Sequence, residues 1–135
     1  MSQENAEIVQ RSVQALMRGD YAAAFEDFSP TTTFEMASGV DPAGMQSAYE
    51  GHEGLRQFHT LLVDVFAHHE IEIEELRDHG DDVFGVCRER GVGRLSGVVV
   101  DRRLYNIWTV IDGKLVRTRT YLNKDEALKA VGLEE

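Results

Sequence analysis

From Val98 to Ile111 the chain runs through β-branched and aromatic residues. It then meets Asp112-Gly113 and resumes an alternating pattern from Lys114 to Leu122. Asp-Gly between two such runs predicts a hairpin, because both turn positions favour positive φ. The first run is about twice the usual strand length of ~5–6 residues. A strand that long must twist and curve, and a curved sheet with helices on one face encloses a cavity.

Upstream, Ile8, Val9, Val13, Leu16 and Met17 recur at helical spacing and predict a helix over Glu4 to Arg18. Gly19 suits the position after a helix and Asp20 the N-cap of the next. A short second helix follows over Tyr21 to Phe28, closed by Pro30, and then a strand over Thr31 to Met36. Ser38 to Ala48, with Gly39, Asp41, Pro42 and Gly44, reads as a loop. Gly51-His52-Glu53-Gly54 leads into a third helix ending near Ala67, with Leu55, Phe58, Leu62, Val65 and Phe66 as its apolar face. Strands over Glu70 to Arg77 and Val83 to Val92 precede the hairpin. A last helix runs from Asp125 to Val131, ended by Gly132. Helices come early and antiparallel strands late, which predicts an α+β fold with helices segregated on one face of a curved sheet.

A length of 135 residues suits one domain spanning 1–135. The net charge of −10 argues against nucleic-acid phosphates and anionic membrane surfaces as partners. No apolar run is long enough to span a bilayer. Met1 to Asn5 has neither a basic start nor an apolar stretch, so a cytoplasmic location is expected. One cysteine, Cys87, allows neither an internal disulfide nor a cysteine metal cluster. Arginines gather between Arg88 and Arg119. They predict either a mixed-charge sheet face paired with nearby acids, or a pocket or dimer face that accepts an anion.

Several ordered pieces together resemble one family. They are Gln3-Glu4-Asn5, Arg18-Gly19-Asp20, Tyr49-Glu50-Gly51-His52-Glu53-Gly54-Leu55-Arg56, Gly93 to Gly97, Asn106 to Arg117, and Tyr121-Leu122 with Glu126-Ala127-Leu128. In order and spacing the chain resembles the SnoaL-like branch of the nuclear transport factor 2-like superfamily. That group also holds ketosteroid isomerases, polyketide cyclases and limonene epoxide hydrolases. The resemblance implies a cone-shaped domain, three helices of the N-terminal half packed on a concave sheet, a deep pocket, and a homodimer formed through the sheet.

The family's chemistries are not all carried over. The isomerase base position falls on Met36, its helix tyrosine on Ser12, and its donor acid on Asn106. The aspartate that cyclases and epoxide hydrolases place on the last strand falls on Thr120, which is no general base near neutral pH. The epoxide hydrolases' Arg and Asp two residues apart are met by Arg102 and Leu104, or in reverse order by Asp101 and Arg103.

Alternation puts Leu104, Asn106, Trp108 and Val110 on one face of the long strand, and the resemblance points that face at the helices. Val116, Thr118, Thr120 and Leu122 match it on the last strand. The preceding strand offers either Gly85, Cys87 and Glu89 or Phe84, Val86 and Arg88. Phe34, Met36, Phe58, Leu62, Trp108, Thr118 and Thr120 are the expected pocket lining. His59, on the apolar stripe of the third helix, either makes a core hydrogen bond or faces the cavity. With Glu89 inward, His59 and Glu89 form a candidate acid–base pair and Asn106 a candidate donor.

The chain is therefore expected to bind a small hydrophobic molecule, with no cofactor. It would act either as an isomerase, cyclase or hydrolase, or as a non-catalytic ligand-binding or dimerisation module. No metal is expected, since His68 and His69 on a strand would face opposite ways. The outer sheet face, with Tyr105, Ile107, Thr109, Arg117, Arg119 and Tyr121, mixes aromatics and arginines as a homodimer interface would.

Overall fold

The computed structural model describes residues 2–37 and 47–132. In chain order the elements are α1 (Ser2–Met17), α2 (Tyr21–Asp27), β1 (Phe28–Met36), β2 (Ala48–Glu50), α3 (Gly51–Val65), β3 (Phe66–His79), β4 (Asp82–Gly93), β5 (Val99–Ile111), β6 (Lys114–Tyr121) and α4 (Lys124–Ala130). The strands form one open sheet in the order β2-β1-β6-β5-β4-β3. Only the β1–β6 pairing is parallel, and the others are antiparallel. This is an α+β fold in which α1 to α3 cover the concave face.

Local chemistry accounts for the main corners. Asp112 and Gly113 both take positive φ, 51° and 77°, and turn β5 into β6. Gly19 takes φ 78° between α1 and α2, and the Asp20 carboxylate accepts from the Ala23 N–H at 3.2 Å as an N-cap. Arg11 on α1 grips Asp27 at the end of α2 through two bonds of 2.8 Å.

Four boundaries differ from the sequence pattern, each for a local reason. The strand expected from Thr31 begins at Phe28 and carries Pro30 inside it. The β1–β6 register breaks between Phe28 and Thr33, so the missing Pro30 N–H costs no ladder bond. β2 is only three residues long, too short for a period to register. Of the expected Ser38–Ala48 loop, residues 38–46 lie outside the described residues.

The third helix ends at Val65 rather than near Ala67, and β3 starts at the next residue. Arg94 secures that abrupt change. Its guanidinium donates to the carbonyls of Val63 at 2.9 Å and Phe66 at 3.0 Å, at the helix end. The fourth difference lies on β6. Thr109 pairs with Arg117 but Val110 with Leu115, so Val116 has no partner and the parity shifts. Leu115 is therefore the buried inward residue, Val116 is half-buried, and Leu122 is exposed beyond the strand.

The sheet is covered on both sides. The main core gathers Val9, Leu16, Phe28, Leu55, Trp108 and Leu115 between the sheet and α1 to α3. A second cluster, Phe84, Val86, Ile107, Ala127 and Leu128, lies on the opposite face under α4. Ile107 has no exposed surface there. Part of the outer face expected to receive a second copy is thus occupied by the chain's own last helix.

Candidate functional site

Between α1, α3 and the concave face lies a cavity of about 90 Å³. β1 contributes Phe34 and Met36 to its wall, and α3 contributes Phe58 and Leu62. Trp108 comes from β5, and Thr118 and Thr120 from β6. β4 turns its odd-numbered side chains, Cys87 and Glu89, the same way. Two glycines on that parity make room for rings. A Cβ on Gly85 would lie 2.4 Å from Trp108, and one on Gly91 would lie 2.9 Å from Phe66.

The polar groups of the wall fall into two sets. At one end, Thr120 Oγ1 donates to Asn106 Oδ1 at 2.6 Å, and Asn106 Nδ2 donates to Cys87 Sγ at 3.2 Å. All three residues are buried. Burial pushes the Cys87 thiol up to about 12, so it stays protonated and unreactive.

At the other end stands Glu89, 4% exposed. Its Oε1 accepts from Arg102 Nε at 2.7 Å, and its Oε2 lies 2.9 Å from His69 Nε2. Burial alone would raise the Glu89 pKa, but the hydrogen bonds from His69 and Arg102 outweigh it and hold the carboxyl below its ordinary value. Glu89 is therefore an ionised acceptor at neutral pH.

These two sets do not converge. Gly85 pairs with Asn106 and Glu89 with Arg102, which sets Asn106 and Glu89 four residues apart along the ladder. At ~3.3 Å per residue that is roughly 13 Å. A single small functional group cannot touch both, so Asn106 does not serve as donor to a group held by Glu89.

His59 does not meet Glu89 either. Its Nε2 lies 3.2 Å from the Met17 carbonyl and its Nδ1 2.7 Å from the Tyr21 hydroxyl. A carbonyl only accepts, so Nε2 carries the proton and Nδ1 accepts from Tyr21. The side chain ties α3 to the α1–α2 corner and lines a separate surface hollow. The imidazole beside Glu89 is that of His69. Its signal was present in the sequence, since His69, Ile71 and Ile73 alternate on one face. Phe66 and His69 both turn inward despite their opposite parity, because the β3–β4 register shifts between Phe66 and His68.

Most of the arginines between Arg88 and Arg119 meet acids on the outside. Arg88 pairs with Asp101, Arg103 with Glu74 and Arg117 with Glu35. Arg102 is the arginine that lines the cavity. Among the described residues, no three His, Cys, Asp or Glu side chains are grouped to hold a metal ion. No helix among them is long and apolar enough to cross a membrane.

The family pattern of the SnoaL-like domain matches residues 9–118, most of the chain. The chain belongs to the SnoaL-like domain family. Solved structures share its fold at low identity. TerC, crystallised with polyporic acid, is 20% identical, with 95% of this chain and 97% of that one covered and a TM-score of 0.77. A protein from Jannaschia sp., provisionally described as a SnoaL-like polyketide cyclase, is 22% identical over 100% and 96% of the two chains, with a TM-score of 0.76. A Catenulispora acidiphila protein with a ketosteroid isomerase-like fold, in complex with trimethylamine, is 14% identical over 95% and 94%, with a TM-score of 0.71. No curated protein matches the chain.

Proposed function

We propose that this SnoaL-like domain binds a small, largely apolar organic molecule in the cavity beside Trp108. The observation that supports this most is an apolar space with one ionised carboxylate, Glu89, kept in its wall. Burying such a group is costly unless it is paired, and perturbed titratable groups cluster at functional sites. Size narrows the ligand. A cavity of ~150 Å³ in another protein admits benzene, so about 90 Å³ takes a single ring only as the wall yields. Met17 and Met36 in the wall are flexible enough to yield to a slightly larger guest. Two proteins of the same fold hold organic ligands, polyporic acid in TerC and trimethylamine in the Catenulispora protein.

A second reading is supported by the pairing of Glu89 with His69 against an apolar space. Such a pair suits cofactor-free isomerisation, cyclisation or hydrolysis of the same ligand. The description of the Jannaschia protein fits this reading.

Trp108, the chain's sole tryptophan, reports on the cavity directly. Titration with toluene and with cyclohexanone is expected to change its fluorescence saturably. Leu62→Trp, which fills the space but adds a second fluorophore, is checked by calorimetry and is expected to lose the binding. If neither probe saturates in the wild type, the cavity is not a ligand site.

A further inference from the structure

His69 stands where the cavity meets the surface. Its ring forms part of the cavity wall and also borders two hollows on the outside. Its side chain is 11% exposed and that of Glu89 is 6% exposed. Because Glu89 is an ionised acceptor, the hydrogen on His69 Nε2 points at it. In the neutral form of the ring Nδ1 is then the nitrogen without a proton, and no hydrogen bond to Nδ1 is present among the described residues. A carboxylate that orients an imidazole in this way also stabilises the imidazolium once a proton arrives. Arg102, on the other oxygen of Glu89, adds a fixed positive charge to the same wall.

Resting on the ligand-binding reading above, we infer that the cavity selects a single-ring weak acid, a phenol or cyclic enol, and that His69 takes its proton. The ring fills the apolar space beside Trp108 and Phe58. The O–H bond breaks, its proton goes to His69 Nδ1, and its electron pair stays on the ligand oxygen. Two neutral groups become an imidazolium held by Glu89 and an oxyanion beside it, so charge is conserved, while Arg102 holds the far oxygen of Glu89. His69 is then the group that touches the ligand, and Glu89 is a positioning residue. The other charged groups around the ring are Glu70 on its own strand, and Arg90 and Asp101 across the sheet. On the α3 side they are His59 and Arg94. Arg90 and Arg94 are already engaged, by Glu72 and by the α3 carbonyls. Glu89 therefore remains the direct partner of the imidazole.

The test uses 3-nitrophenol, whose phenolate absorbs visibly, in buffer about one unit below the probe's own pKa and above the ordinary histidine value of ~6.5, so that the imidazole starts neutral. Calorimetry reads binding and absorbance reads ionisation. Wild type is expected to bind and to raise the phenolate fraction at least threefold. His69→Gln should bind without that rise, and Glu89→Gln should show a smaller rise shifted to higher pH. His68→Gln, whose exposed side chain faces the other way, should behave as wild type. Independently of any variant, imidazole ¹⁵N spectra of the free protein should show His69 protonated at Nε2 and bare at Nδ1. Binding without phenolate formation, an undiminished rise in His69→Gln, or a His69 proton on Nδ1 would each overturn the assignment while leaving the cavity a ligand site. Failure of 3-nitrophenol, toluene and cyclohexanone alike to bind would overturn both.

Discussion

A Cβ built on Gly85 would lie 2.4 Å from Cζ3 of Trp108 and 3.0 Å from a methyl of Leu76, so the indole occupies the space a side chain on β4 would take. This contact sets where the aromatic wall of the cavity sits. Gly85→Ala must push the indole into the cavity or force β4 away from its neighbours. Overpacking of this kind costs ~1–3 kcal/mol. The expected result is a lower urea midpoint together with a shifted Trp108 emission maximum. An unchanged maximum with full stability would mean that the indole has room to spare.

Much of this arrangement can be read from the sequence, and the exceptions have physical causes. The β5–β6 hairpin was legible because Asp112-Gly113 names its own turn, and the α1–α2 corner because Gly19-Asp20 does the same. The inward set Asn106, Trp108, Thr118 and Thr120 follows from alternation. Alternation fails where a bulge intervenes, so Leu115 takes the face that alternation gives to Val116, while Leu122 keeps its parity and is exposed because it lies past the end of β6. His69 was hidden for a different reason. Helical spacing runs on through Phe66, whereas the chain passes at once from α3 into β3, and a register shift between Phe66 and His68 turns His69 inward. His59 had the right spacing for the apolar stripe, but Tyr21 and the Met17 carbonyl claim both its nitrogens.

The Arg11–Asp27 pair predicts how the protein responds to acid. The hydrogen bond from Arg11 holds the Asp27 carboxyl below its ordinary value despite burial, with Ser12 adding a weaker contact. A depressed folded pKa means the contribution is fully present above the unfolded value of ~3.9 and is lost as pH falls through the folded one. Asp27→Asn should therefore cost about 1–2 kcal/mol at neutral pH, discounted because Arg11 is largely exposed. The gap between variant and wild type should close below about pH 4. Denaturation curves taken from pH 7 down to about 2.5 read this directly. A gap that stayed constant would show that Asp27 stabilises by packing alone.

Thr120 is the donor that keeps Asn106 satisfied in the wall. Thr120→Val preserves shape and removes that donor, leaving a buried amide oxygen without a partner. The expected loss is ~1–3 kcal/mol, whereas Thr120→Ser should lose less because it keeps the hydroxyl. Thermal melts of the two variants separate the hydrogen bond from the packing. Equal losses would assign the effect to the missing methyl instead.

Cys87 turns the same wall into a gauge of opening. With its thiol pushed up to about 12 by burial, only ~10⁻⁴ of it is ionised at pH 8, against roughly a quarter of a free cysteine with pKa ~8.5. The thiolate is the reactive form, so the fraction able to attack a disulfide reagent falls by about two-thousandfold, offset in part by the greater nucleophilicity of a more basic thiolate. Burial at 1% exposure slows the attack further by excluding the reagent. The native protein should therefore react with Ellman's reagent only through transient opening, and one equivalent should appear promptly in urea. The native rate then measures the free energy of that opening. A saturating cavity ligand should slow it in proportion to occupancy, because binding stabilises the closed form. A native rate matching that of free cysteine would mean that the wall between Asn106 and Cys87 stands open to water.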